Sequence, residues 1–133
     1  MSLINWINTR VIGDERGHLV ALEENKNIPF DIKRVYYLTG MQKDLPRGFH
    51  AHKALKQVAV CVNGSCEMIL DDGVHKENVY LNSFEKALII DSFVWHEMHN
   101  FSDDCVLMVI ASDHYDEQDY IRSYEEFKLI VKR

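Results

Sequence analysis

No stretch of this 133-residue chain approaches the roughly 20 consecutive apolar residues that a membrane-spanning helix requires, so no membrane association is expected. The opening residues, Met1-Ser2-Leu3-Ile4-Asn5-Trp6, carry neither the basic nor the apolar region of a secretory signal. Cysteine is scarce. Cys61, Cys66 and Cys105 make no Cys-x-x-Cys pair, and an odd number argues against a disulfide framework. Cys61 and Cys105 sit in apolar runs and are expected to behave as small buried hydrophobes. A cytoplasmic location follows as the expectation. Positive charge is also in short supply: the net charge of −6 leaves no surface suited to nucleic acid. Linkers, repeats and low-complexity tracts are missing, and the length fits one domain, 1–133, with a real core.

What is present is strand-like. Short apolar, β-branched and aromatic runs recur at Gly17–Glu23, Ile32–Leu38, Gln57–Val62, Cys66–Leu70, Val79–Leu81, Ala87–Ile90 and Cys105–Ser112. Asn63-Gly64, Asp71-Asp72-Gly73 and Asn82-Ser83 separate them, and Asn-Gly and Asp-Gly supply the positive φ of tight hairpins. Many short strands at regular spacing predict an all-β sandwich or barrel. Only the end differs. Over Asp116 to Arg133, Tyr120, Tyr124, Phe127 and Val131 recur at helical spacing, with acidic residues opening the segment and Lys128, Lys132 and Arg133 closing it. This predicts a short C-terminal helix whose aromatic stripe packs on the sheets. The apolar segment Leu3–Ile7 could serve as a strand exchanged with another copy or as an edge strand in its own subunit.

The segment Arg47-Gly48-Phe49-His50-Ala51-His52 is the chemically informative one. On a strand, His50 and His52 share a face about 6–7 Å apart, with Phe49 and Ala51 directed into another layer. Two imidazoles on one inward face can be metal ligands or proton-transfer groups. Arg34 and Tyr36 share a face of the Ile32–Leu38 strand and can bring a guanidinium and a phenol to the same cavity, while Tyr37 packs on the other side. Four of the six arginines, Arg10, Arg16, Arg34 and Arg47, fall in the first 47 residues, a placement that suits an anion site.

From His50 the sequence runs His-x-His, four residues, Gln57, six residues and Gly64; later come His96, three residues and Asn100. This resembles the two motifs of the cupin superfamily, which implies a jelly roll. In metal-binding cupins an acid stands where this chain has Gln57. Three imidazoles and a neutral amide would hold a divalent ion without charge compensation, and amides are poorer ligands than carboxylates. Proton transfer by the histidine pair is the favoured alternative.

The strings RGHLVALEENKNIPFDIKRVYYL, PRGFHAHK, QVAVCVNGSCEMILDDG and VWHEMHNFSDDCVLMVIASDHYDEQDYIRSY closely resemble the dTDP-sugar 3,4-ketoisomerases, the WxcM-like cupin family, from Gly17 to Tyr124. The resemblance implies a cupin jelly roll with a short C-terminal helix, a homodimer, no metal and no cofactor. It also implies that dTDP-4-keto-6-deoxyglucose is converted to a 3-keto sugar for deoxyamino-sugar and surface-polysaccharide biosynthesis. By that resemblance His52 is expected to move the carbon proton, with His50 and Tyr36 handling protons at the oxygens. Arg16, Arg34 and Arg47 are expected at the pyrophosphate or the enediolate, and Trp95, His96 and His99 on the far wall near the sugar. Arg16 and His96 resemble the branch giving a galacto-configured product. The rivals are a metal-dependent cupin enzyme, a non-catalytic dTDP-sugar-binding cupin, and a related epimerase. The His-x-His pair and the short chain argue against the last.

Overall fold

The alternation of buried and exposed side chains folds the chain into two facing antiparallel sheets, seen in a computed structural model that describes residues 2–132. The strands are β1 (Val11–Asp14), β2 (Gly17–Val20), β3 (Arg34–Leu38), β4 (Arg47–His52), β5 (Gln57–Asn63) and β6 (Cys66–Asp71). They continue as β7 (Lys76–Leu81), β8 (Leu88–Ile90), β9 (Trp95–His99), β10 (Val106–Ala111) and β11 (Tyr120–Ile121), and the helix α1 covers Tyr124–Ile130. One sheet has the order β3-β10-β5-β8 and the other β11-β4-β9-β6-β7, while β1 and β2 form a separate hairpin. The expected jelly roll is this all-β, cupin-like sandwich with one short C-terminal helix. Strands β1 and β9 were not among the expected runs.

The main core lies between the sheets: Ala59, Leu88, Leu107 and Val109 of one meet Met68, Leu70, Leu81 and Met98 of the other. The sheet containing β5 is buried on its outer face too, where Val58, Val60 and Ile110 pack with Ile7, Ile28 and Phe30. Burial on both faces explains why β5 reads as an unbroken apolar run, Val58-Ala59-Val60-Cys61, and not as an alternation. The three cysteines are buried and free, with Cys61 Sγ 3.7 Å from both Cys66 Sγ and Cys105 Sγ. Buried among apolar neighbours, the Cys105 thiol is pushed up to about 12 and stays protonated. Cys61 and Cys105 are the small core hydrophobes expected.

One sequence expectation needs correction, and one open alternative is decided for the single chain. The helical pattern from Asp116 does not make one helix: Glu117–Asp119 forms a single 3-10 turn, and Tyr120–Ile121 pairs with β4 through Tyr120↔His52 and Ile121↔Ala51. The helix starts only at Tyr124, after Ser123, whose hydroxyl accepts from the Glu126 N–H at 3.2 Å. Glu125 and Glu126 in its first turn and Lys128 in its last complement its dipole, as expected, and Phe127 anchors it under the sheet. Arg133 lies outside the described residues. At the other end, the segment containing Leu3–Ile7 runs along β8 of its own chain, with Ile7 N–H donating to Ala87 O at 2.9 Å and Ile89 N–H to Asn5 O at 2.8 Å.

Candidate active site

The site begins with an irregularity in β4. Gly48 opposes Glu97 on β9 but His50 opposes His96, so Phe49 is an extra residue with no partner. Gly48 has φ +91 and Phe49 φ +60. A Cβ on Gly48 would lie 2.9 Å from the His96 carbonyl oxygen, so the close approach of the two strands requires glycine there. Such a bulge re-aims the side chain that follows it. Here it sets His50 directly across from His96. Phe49 consequently does not enter a second layer, as simple alternation suggested. It stays part-exposed, edge-on to His99 at 5.7 Å between ring centroids. Ala51 does point away from the cavity and is fully buried beneath Ile121 and Phe127.

His50, His52 and His96 form one cluster. Ring centroids are 5.0 Å apart for His50 and His52, and 4.6 Å for His50 and His96. Each ring has a bonded Nδ1: His50 contacts Gly48 O at 3.1 Å, His96 contacts Val94 O at 3.1 Å, and His52 contacts Asp119 Oδ2 at 3.1 Å. Carbonyl and carboxylate oxygens only accept, so these contacts place the proton of each neutral ring on Nδ1 and leave Nε2 as a base. Burial pushes all three away from the charged form. His52 falls to about 4, with the neighbouring His50 adding to the shift and Asp119 opposing it; His96 falls to about 3, and His50 is also lowered. The cluster is therefore uncharged at neutral pH, with its Nε2 lone pairs unprotonated.

A cavity of about 170 Å³ opens between the sheets beside this cluster. His50, His96, Tyr36, Arg34 and Arg47 line it, as expected of them, and so does Tyr120, which sequence reasoning missed. The Tyr36 hydroxyl accepts from the Gln57 amide at 2.7 Å, and burial raises the phenol above its ordinary value, with the nearby Arg34 guanidinium opposing. Tyr37 faces outward, as expected of its neighbour's partner face. Arg34 stacks over Tyr36 at 5.0 Å, and its Nε is buried without a protein partner. Tyr120 covers both histidines, its ring 4.9 Å from His50 and 4.4 Å from His52. Asp119 and Tyr120 were hidden in the sequence because their segment read as helix. Only their pairing with β4 brings them here.

His52 does not line this cavity. It is 2% exposed and forms the wall of a smaller neighbouring space of about 140 Å³ with Asp119, Ala54 and Leu55. Of the two histidines, His50 is the one that lines the larger cavity, and Arg34 and Tyr120 border both spaces. Three other expected site residues lie off this cavity in the single chain. On β9, His96 and Met98 face inward, so Trp95 and His99 face out. Trp95 packs on Tyr124 and Phe127 with ring centroids at 5.2 and 5.8 Å, and His99 Nε2 is 2.9 Å from Glu97 Oε1. Arg16 stands on the turn between β1 and β2, highly exposed and paired with Asp14 at 2.6 Å, outside the cavity of its own chain.

The cupin fold raises the question of a metal. The three histidines offer nitrogens within 4.8 Å of one another, a spacing that one ion could bridge. The position of the fourth, acidic ligand is held by Gln57, whose amide N–H₂ is committed to Tyr36. No carboxylate is there to offset the ion's charge, so the donor set fits a resident metal poorly and no chemical step is routed through one.

A jelly roll whose cavity is walled by neutral histidines, a tyrosine and two arginines defines a cupin-like protein. The family model WxcM-like, C-terminal (FdtA) matches residues 2–132, and the chain belongs to that family. It is similar to the TDP-4-oxo-6-deoxy-alpha-D-glucose-3,4-oxoisomerase of Aneurinibacillus thermoaerophilus, 58% identical over 127 residues, covering 96% of this chain and 91% of that protein. Among solved structures, a 3,4-ketoisomerase from Helicobacter canadensis superposes with a TM-score of 0.94 at 45% identity, covering 98% of each chain. A histidine-to-asparagine variant of the 3,4-ketoisomerase QdtA from Thermoanaerobacterium thermosaccharolyticum, in complex with TDP-4-keto-6-deoxyglucose, gives 0.95 at 42% identity over 99% of this chain and 96% of that one. The chain is thus an enzyme of the isomerase class, an intramolecular oxidoreductase.

Proposed function

We propose that this enzyme converts dTDP-4-keto-6-deoxyglucose to a dTDP-3-keto-6-deoxyhexose by proton transfer through an enediolate. The observation that carries the reading is the neutral histidine cluster opening onto a cavity with Tyr36, Arg34 and Arg47. The C4 ketone acidifies the hydrogen on C3. His50, facing the cavity with Nε2 unprotonated, takes that proton and leaves an enediolate whose charge is spread over both oxygens. Return of the proton to C4, with the C3 hydroxyl proton passed to the C4 oxygen, forms the C3 ketone and a C4 hydroxyl, so the product is an isomer of the substrate and nothing is consumed. Tyr36 serves the oxygens, being held by Gln57 at 2.7 Å, and His52 is the second imidazole behind His50. Acid–base groups of this kind contribute about 10²–10⁴-fold. Arg34 and Arg47 supply positive charge for the enediolate or the pyrophosphate.

A galacto configuration at C4 belongs to the same proposal. Of the two residues that favour it by resemblance, His96 lines the cavity and Arg16 does not. The product feeds deoxyamino-sugar formation for surface polysaccharide. The free, buried cysteines suit the reducing cytoplasm. A homodimer fits the apolar side chains left exposed on the hairpin, Ile12 at 55% and Leu19 at 57%, and on the edge strand β3, Val35 at 55%. Incubation with dTDP-4-keto-6-deoxyglucose in deuterium oxide is the test. Deuterium entering the sugar ring together with appearance of the 3-keto product is expected; binding with neither would reduce the protein to a sugar-nucleotide-binding cupin. The proton coupling at C4 of the product reads its configuration.

A further inference from the structure

Asp119 touches none of the reacting atoms, yet its carboxylate is the best-connected acceptor near the cluster. Oδ2 lies 3.1 Å from His52 Nδ1 and 3.3 Å from the Leu55 N–H, and Oδ1 accepts from the Ala54 N–H at 2.8 Å. The residue sits at the end of the 3-10 turn, immediately before the β11 pair Tyr120↔His52, so the backbone ladder locks it beside the ring it touches. At the far end of that ring, His52 Nε2 is buried and has no partner in the protein. An unpaired buried nitrogen is costly to leave, and proteins keep such groups for a reason.

We infer that Asp119 is the positioning residue of the proton-transfer pair, holding the His52 proton on Nδ1 so that Nε2 stays a lone pair behind His50. The alternative tautomer would set an N–H donor against the cluster and leave Nδ1, a bare acceptor, facing a carboxylate. When His50 takes the carbon proton, a lone pair on His52 and the anionic Asp119 beyond it oppose no positive charge, whereas the wrong tautomer presents a donor to an imidazolium. Asp119 therefore acts on the transition state and not on nucleotide binding, because its oxygens are directed at His52 and at the Ala54–Leu55 backbone.

This inference rests on the reading of His50 and His52 as the proton-transfer pair, and the experiment separates the two. Two-bond ¹H–¹⁵N NMR of the native enzyme reads which nitrogen of His52 carries the proton, with His52→Gln assigning the resonance. Asp119→Asn keeps the shape and, with its oxygen kept on the Ala54 N–H, turns its N–H₂ toward Nδ1 at the expense of the long Leu55 N–H bond. The expected result is an Nδ1–H tautomer in the native enzyme, moved to Nε2–H in Asp119→Asn. Turnover of dTDP-4-keto-6-deoxyglucose should then fall by about 10²–10⁴-fold in kcat with KM within about threefold. Native His52 protonated on Nε2 overturns the inference, even if the asparagine variant fails to fold. So does an Asp119→Asn enzyme with near-native kcat, or one whose loss is all in KM with the proton unmoved, which would make Asp119 a loop clamp only. If His52→Gln itself turns over normally, the histidine-pair reading falls first; if it is inactive and Asp119→Asn is not, only the inference made here falls.

Discussion

Acid should destabilise this fold through its histidine cluster, and by an amount that can be worked from the site. His52 and His96 are 2% and 3% exposed and are held at about 4 and about 3, mainly by burial. An unfolded chain returns each to about 6.5. Between the folded and unfolded values the unfolded state binds more protons, so stability rises with pH across that window and is lost as pH falls below about 6.5. From pH 7 to pH 5 the loss is about 2 kcal/mol for each ring, or about 4 kcal/mol for the two. His50, shifted in the same direction, adds to it. Glu117, held at about 2 by its bonds to Arg122, does not titrate in this interval. Domains of this size are stable by about 5–15 kcal/mol, so the loss is a large fraction of the whole. Urea unfolding followed by far-ultraviolet circular dichroism at the two pH values measures it. The midpoint should move down by about 1–3 M. His96→Gln removes one titrating ring, so its pH 7 to pH 5 loss should be about half that of the native protein. Equal midpoints at both pH values, or an undiminished loss in His96→Gln, would refute the argument that these rings are buried neutral.

The outward placement of β9's alternate residues is tested by His99→Ala, for which kcat and KM should both stay within about threefold. Trp95→Ala should cost about 3–5 kcal/mol in denaturant unfolding, because the helix loses its anchor, and a Trp95→Phe variant should retain kcat; a selective rise in KM for the sugar nucleotide in either residue's variants would return it to the cavity wall. Gln57→Glu supplies the acidic fourth ligand that the histidine cluster lacks. Zinc or manganese affinity measured by calorimetry should rise at least about tenfold over the native protein, and an unchanged affinity would show that charge compensation is not what limits metal binding here.

Much of this was legible because period-2 patterns are local. The inward pairs His50/His52 and Arg34/Tyr36 follow from alternation alone, and the substitution of an acid by Gln57 is visible without coordinates. The misplaced residues failed for two separate reasons. Trp95 and His99 are expected on the cavity wall by family resemblance, whereas the same alternation that locates His50 and His52 sends them to the opposite face of the single chain. Asp119 and Tyr120 were lost to a genuine ambiguity, since Tyr120, Tyr124 and Phe127 fit a helical stripe and only the tertiary ladder to β4 assigns Tyr120 to a strand. The different depths of His50 and His52 are invisible to any pattern: depth behind a wall is set by the bulge at Phe49 and by what covers each ring.

The pairing of β11 with β4 has a consequence for how the enzyme comes into being. His52 and Asp119 are 67 positions apart, so the cavity cannot be roofed until the chain has been synthesised past Tyr120. During translation the two histidines emerge well before β11, on a strand whose outer edge is still bare, and stay open to water until β11 arrives. A nascent or C-terminally clipped chain can thus carry every residue of the His-x-His motif and still hold no dry pocket for a sugar. Competence is acquired in a single event, the docking of β11 and α1 against β4.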